Sequence, residues 1–129
     1  MKEILLVDDN LFMQEIIADF LRNRGFKVDA CANGKQASVK LRNNRYDLIL
    51  TDLHMPVEDG FTFIDKFLGS VDTPFIAMTS GDDAPAFQDK LKTLEQAGVK
   101  VINKPFSKEF IYGLVNKILF LENSQNAKN

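Results

Sequence analysis

Ile4-Leu5-Leu6-Val7-Asp8-Asp9, near the start of the chain, decides how the rest is read. Four consecutive apolar residues cannot face a core on one side and water on the other. Such a run belongs to a strand covered on both faces, which is what a parallel sheet between two layers of helices requires. The same design recurs further on. Leu48-Ile49-Leu50 runs into Thr51-Asp52, Phe75-Ile76-Ala77-Met78 into Thr79, and Val99-Lys100-Val101-Ile102 into Asn103-Lys104-Pro105. Phe26 to Cys31 is a weaker strand of alternating character.

Between these runs the apolar spacing turns helical. Phe12, Ile16 and Phe20, with Met13, Ile17 and Leu21, mark a first helix that Gly25 stops. Asn33-Gly34 makes a turn, and Ala37 and Leu41 mark a short second helix. Pro56 and Gly60 break the chain before a third, built on Phe61, Ile64 and Leu68 with Phe63 and Phe67. Pro85 suits the first position of a fourth, carrying Phe87, Leu91 and Leu94 and ended by Gly98. Ser107 is the expected N-cap of a last helix lined by Phe110, Leu114, Ile118 and Leu121. Strict alternation with short connections predicts a single doubly wound α/β domain over residues 1–122, with a polar tail at 123–129.

Bulk properties narrow the function. At 129 residues the chain can bury a sufficient core without metal or disulfide. A net charge of −2 offers no overall attraction to nucleic acid or an acidic membrane, so neither is expected as a partner. The apolar run at the N-terminus is too short for a signal peptide, and a membrane helix needs about 20 apolar residues. Cys31 is the only cysteine and His54 the only histidine, which leaves no disulfide and little basis for a zinc site. A cytoplasmic location is expected.

In an open parallel sheet, ligands bind at the carboxyl ends of the strands. Asp8-Asp9, Asp52, Thr79-Ser80 and Lys104 stand there. Taken singly, these are ordinary: aspartates cap helices, threonines sit in turns, and lysines are solvated. On one rim, three carboxylates repel one another unless a cation intervenes. Mg²⁺ takes oxygen ligands and uses one or two carboxylates plus a substrate phosphate. Lys104 has a long stem to reach a carboxylate or phosphoryl oxygen, and Pro105 holds the residue before it extended. Thr79 supplies a hydroxyl donor. These parts suit phosphoryl transfer, which is mostly positioning and charge neutralisation, with Asp52 as the nucleophile. Neither a GxGxxG nor a Walker sequence is present, and two aspartates after the first strand would repel the phosphate of a flavin.

Asp8-Asp9, Asp52, Thr79 and Lys104-Pro105, in that order, resemble the receiver domain of two-component response regulators. So does the stretch Asp52-Leu53-His54-Met55-Pro56-Val57-Glu58-Asp59-Gly60. The likeness runs from residue 3 to about 121. It implies a flavodoxin-like sheet of order 2-1-3-4-5 and Asp52 as phosphoacceptor. It implies Asp9 as a direct metal ligand, Asp8 as a more water-mediated one, and the backbone carbonyl of His54 completing the protein's share of Mg²⁺ coordination. Lys104 and Thr79 would hold the phosphoryl oxygens. The donor would be a histidine kinase or a histidine phosphotransfer protein. The output would pass through the surface of the fourth helix, fifth strand and fifth helix to a downstream protein the sequence does not name. Such a domain catalyses its own phosphorylation and dephosphorylation and is not a conventional enzyme.

Two positions depart from the family's pattern. Val101 stands where an aromatic switch residue is common, which gives some weight to an alternative, a phosphorylation-independent interaction module. Glu58 replaces an apolar residue in a loop, where altered partner choice is expected. Gly81, two residues past Thr79, has no side chain to shield a phosphate from water.

Overall fold

Successive side chains of a strand point to opposite faces, and the first apolar run divides accordingly. Strand β1 (Glu3–Val7) sends Ile4 and Leu6 into one core layer and Leu5 and Val7 into another, all four buried. The computed structural model describes residues 1–122. After β1 come α1 (Leu11–Asn23), β2 (Lys27–Cys31), α2 (Gly34–Asn43), β3 (Leu48–Asp52) and α3 (Gly60–Phe67). Then follow β4 (Phe75–Thr79), α4 (Pro85–Gln96), β5 (Lys100–Asn103) and α5 (Lys108–Asn116), which runs on as a π-helical segment, Lys117–Glu122. The strands form one sheet in the order β2-β1-β3-β4-β5, every pairing parallel, the order and architecture expected.

One core layer joins Ile4, Leu6, Leu48, Leu50, Ile76 and Met78 to Ile17, Ala18 and Leu21 of α1 and to Ile111 and Val115 of α5. The other joins Leu5, Val7, Ile49 and Ala77 to Ala37 and Leu41 of α2, Phe63 and Ile64 of α3, and Leu94 of α4. Four helices begin on a side-chain cap: Asn10, Asn33, Asp59 and Ser107 each accept a backbone N–H three residues on. Helix α4 has no such cap and opens on Pro85. Its anchoring is correspondingly thin, with Leu94 its one buried residue.

Several expected faces are corrected. Phe12 is 72% exposed, because the first turn of α1 lies at the rim where the strands have already ended. The last helix buries Ile111, Val115, Ile118 and Leu119, whereas Phe110 is 51% exposed. Both apolar stripes recur at a spacing of four, so periodicity alone does not choose between them. Helix α3 stops at Phe67, leaving the expected Leu68 outside it. The Leu121 side chain and the tail at 123–129 lie outside the described residues.

The β3–α3 loop carries a local conflict. Val57 sits at φ 70, and the Glu58 N–H donates to the Pro56 carbonyl at 2.8 Å across it. This is the strained, positive-φ form of a three-residue turn, and it is least tolerable for a β-branched residue. What holds it is Glu58, whose side chain is only 13% exposed. Its carbonyl accepts from Gly34 N–H at 2.9 Å, and its carboxylate accepts from Ser38 Oγ at 3.3 Å and pairs with Lys66. Glu58 lies in the loop, as expected, and ties it to α2 and α3. Strain of this kind is worth on the order of 1–3 kcal/mol, and glycine would release it at a smaller entropic loss. Val57→Gly should raise stability by about 1 kcal/mol, read as a higher urea midpoint at unchanged slope.

Candidate functional site

The register of the sheet assembles the site. Val7 pairs with Thr51 and Thr79 with Asn103, so Asp8, Asp52, Thr79 and Lys104 all arrive at one edge. Asp8 is fixed at the backbone: its N–H donates to the Cys31 carbonyl at 3.0 Å, and Gln14 Nε2 donates to the carbonyls of both Asp8 (3.1 Å) and Cys31 (2.9 Å). Asp52 ends β3, and Leu53 N–H donates to the Met78 carbonyl at 2.9 Å. Gly60 packs directly on this point. A β-carbon there would stand 2.2 Å from the Asp52 carbonyl oxygen, so the close approach of α3 demands glycine. Buried Cys31 is a packing residue whose thiol is pushed up to about 11 by burial.

Asp8, Asp9 and Asp52 each offer a carboxylate oxygen within 4.8 Å of the others, and Asp8 and Asp52 are buried while Asp9 is exposed. Lys104 reaches in from β5. Its Nζ donates to Asp52 Oδ2 at 2.8 Å and stands 3.5 Å from Asp8 Oδ2. Its carbon stem is mostly covered, and the Lys104–Pro105 peptide is cis. Asp52 Oδ1 accepts the His54 N–H at 3.2 Å, and Asp8 Oδ1 accepts the Asn10 N–H at 3.0 Å. Asp8 Oδ2 is buried and has no hydrogen-bond donor among the described residues. A buried carboxylate oxygen facing two other carboxylates, all hard oxygen donors, is the arrangement a divalent cation such as Mg²⁺ satisfies.

Burial raises the Asp8 pKa, the Asn10 N–H and Lys104 lower it, and Asp52 adds a further rise; the net is above the usual aspartate value. Burial works against the Lys104 charge, but the hydrogen bond and charge of Asp52, with Asp8 beside it, outweigh that and hold its pKa above the ordinary lysine value.

Thr79 is fully buried at the end of β4. Its carbonyl accepts the Lys104 N–H at 2.7 Å and its hydroxyl accepts the Gly81 N–H at 2.9 Å. The hydroxyl also meets His54 Nε2 at 2.9 Å, while the His54 ring stacks on Phe87 of α4. The sequence points to His54 as a loop residue acting through its backbone and does not reveal these side-chain contacts, because a lone histidine two residues from the central aspartate carries no signal of where its ring will point. Val101 is half-buried on β5 against the layer that holds Leu94.

Comparison with known proteins agrees with this geometry. Residues 4–116 match the family described as the response regulator receiver domain. The regulatory protein VirG of Agrobacterium tumefaciens is 35% identical over 112 residues, covering 86% of this chain and 41% of that protein. The regulatory protein VanRB of Enterococcus faecalis is 28% identical over 116 residues, covering 90% of this chain and 51% of its own length. The chain thus spans about half the length of these curated relatives. Among solved structures, the response regulator TrrA of Thermotoga maritima, in complex with Mg(2+)-BeF, aligns with a TM-score of 0.78 at 27% identity, over 92% of this chain and 100% of that one. The chemotaxis response regulator CheY4 of Vibrio cholerae aligns with a TM-score of 0.79 at 28% identity, over 92% and 99%.

An acid whose pKa is raised by folding weakens the fold as pH climbs from its ordinary value, 3.8 for Asp8, through its raised one. Asp8→Asn should therefore stabilise the protein in chelator at neutral pH by about 1 kcal/mol. The advantage should shrink as pH falls through that window, checked by urea unfolding of both proteins across pH.

Proposed function

The chain belongs to the response regulator receiver domain family, and from that premise we propose that it is a phosphorylation switch in which Asp52 takes a phosphoryl group from a phosphohistidine. The observation that carries this reading is the Lys104 ammonium 2.8 Å from Asp52 Oδ2, beside a buried Asp8 oxygen with no hydrogen-bond donor among the described residues. A nucleophilic carboxylate is held in place with part of its neutralising charge already present, and an oxygen ligand set stands next to it.

A carboxylate oxygen of Asp52 attacks phosphorus, the bond from phosphorus to the donor's imidazole nitrogen breaks, and the neutral imidazole departs once protonated. Negative charge on the transferred oxygens is met by Lys104 and by a hydrogen bond from the Thr79 hydroxyl. Asp8, Asp9 and Asp52, with the backbone carbonyl of His54, would hold Mg²⁺, which when bound supplies the remaining positive charge at those oxygens. The Mg(2+)-BeF complex of the Thermotoga relative supports this ligand. Attack of water on phosphorus later returns the carboxylate and inorganic phosphate. Gly81 is exposed and bare of side chain, which favours access for that water.

The phosphoryl donor is a histidine kinase or a histidine phosphotransfer protein. The output is a change in affinity for a downstream protein at the surface of α4, β5 and α5. Thin burial of α4 supports that assignment, because an element with little core packing shifts at low free-energy cost. Direct contact with nucleic acid or membrane is not part of this reading.

Incubation with a radiolabelled phosphodonor should label wild type only when Mg²⁺ is present, and Asp52→Asn not at all. Lys104→Ala should slow labelling about a hundredfold. Equal labelling of the Asp52→Asn protein would sink the assignment.

A further inference from the structure

Position 101, where the family resemblance leads one to expect an aromatic, holds Val101. A movement of Thr79 therefore needs another route to α4, and the structure contains one. His54 Nε2 stands 2.9 Å from Thr79 Oγ1. The same ring stacks on Phe87, with centroids 5.2 Å apart and planes 23° from parallel, and Phe87 meets Phe61 of α3 edge-on at 5.6 Å. The buried residue of α4, Leu94, lies near its far end, and Phe87 is the aromatic contact at its beginning.

We propose that His54 is a positioning residue: its imidazole holds the Thr79 hydroxyl in the resting orientation and transmits that hydroxyl's departure to α4 through Phe87. The inference rests on the reading above, in which Thr79 donates to a phosphoryl group on Asp52. A threonine hydroxyl has one proton and two lone pairs. The Gly81 N–H already occupies one lone pair. With His54 Nε2 as the acceptor of that one proton, a hydroxyl that donates to a phosphoryl oxygen on Asp52 must leave His54. The imidazole then loses the polar contact that fixes its plane, and Phe87 loses a fixed surface to stack on. Conversely, the resting bond to His54 opposes phosphoryl binding, because binding has to break it. The two effects are one coupling seen from either end.

Two substitutions separate the polar contact from the stack. His54→Phe keeps a ring against Phe87 and removes the hydrogen bond; His54→Gln keeps hydrogen-bonding capacity and removes the stack. Both leave the backbone carbonyl at position 54 in place. The probe is beryllium fluoride, a phosphoryl mimic, in excess Mg²⁺, read by affinity and by amide hydrogen exchange over residues 85–91. In wild type, binding should accelerate exchange in this segment. His54→Phe should bind the mimic roughly five-fold more tightly, with exchange in 85–91 already fast and not further accelerated by binding. His54→Gln should bind as wild type does, with exchange in 85–91 already fast. In a Thr79→Ala background, His54→Phe should have no further effect on affinity, since its partner is gone. Unchanged or weaker binding by His54→Phe, or wild-type exchange in His54→Gln, overturns the proposal. Failure of wild type to bind the mimic at all instead overturns the phosphorylation reading beneath it.

Discussion

Three carboxylates gathered at one edge of the sheet, with a single ammonium within reach among the described residues, are the constraint on which the rest of the structure turns. Parallel pairing of β1 with β3 makes Asp8 and Asp52 neighbours whatever else the chain does. The positive charge must come from further away, because β4 lies between β3 and β5. Two strand spacings are about 10 Å, so only a long side chain reaches back, and Lys104 brings its ammonium to 2.8 Å from Asp52 Oδ2 with the side chain mostly covered. One ammonium does not balance the set. Asp8 shows it most: burial first, and the Asp52 charge after it, raise its pKa, and its Oδ2 has no donor among the described residues. The resting protein therefore holds a pocket arranged for more positive charge than it supplies.

The fold divides labour between its two faces. On the side of α1 and α5, each helix places a stripe of branched aliphatics against alternate residues of the central strands. On the other side, α2 and α3 are equally committed, but α4 meets the sheet through Leu94 and depends on aromatic contacts at its opposite end. The residues that surround Asp52 lie where this lightly held helix begins. Site and responsive element are thus adjacent because both belong to the carboxyl edge of the sheet, where a helix following β4 must start.

Most of this was legible in the chain. Runs such as Leu48-Ile49-Leu50 are apolar on both faces and admit few environments other than a covered parallel strand, and the polar residue that ends each run marks the rim. That is why Asp8, Asp9, Asp52, Thr79 and Lys104 could be named together before any coordinates. The failures have a common cause. Phe110 and Ile111 begin two stripes with the same spacing, and which stripe is buried depends on how α5 is rotated against the sheet. Glu58 reads as an exposed loop acid until α2 supplies Ser38 and α3 supplies Lys66. The ring of His54 finds Thr79 and Phe87 from different elements. Each is a tertiary fact that local periodicity and spacing do not encode.

Gly60 shows how far the constraint imposed by Asp52 extends beyond the rim of the sheet. With a β-carbon 2.2 Å from the Asp52 carbonyl ruled out, the start of α3 cannot accommodate any other amino acid without pushing on the backbone that carries the Asp52 carboxylate. Every missense change at that codon is in effect a lesion of Asp52. Position 60 is thus bound to position 52 by contact alone, although the glycine has no chemistry of its own.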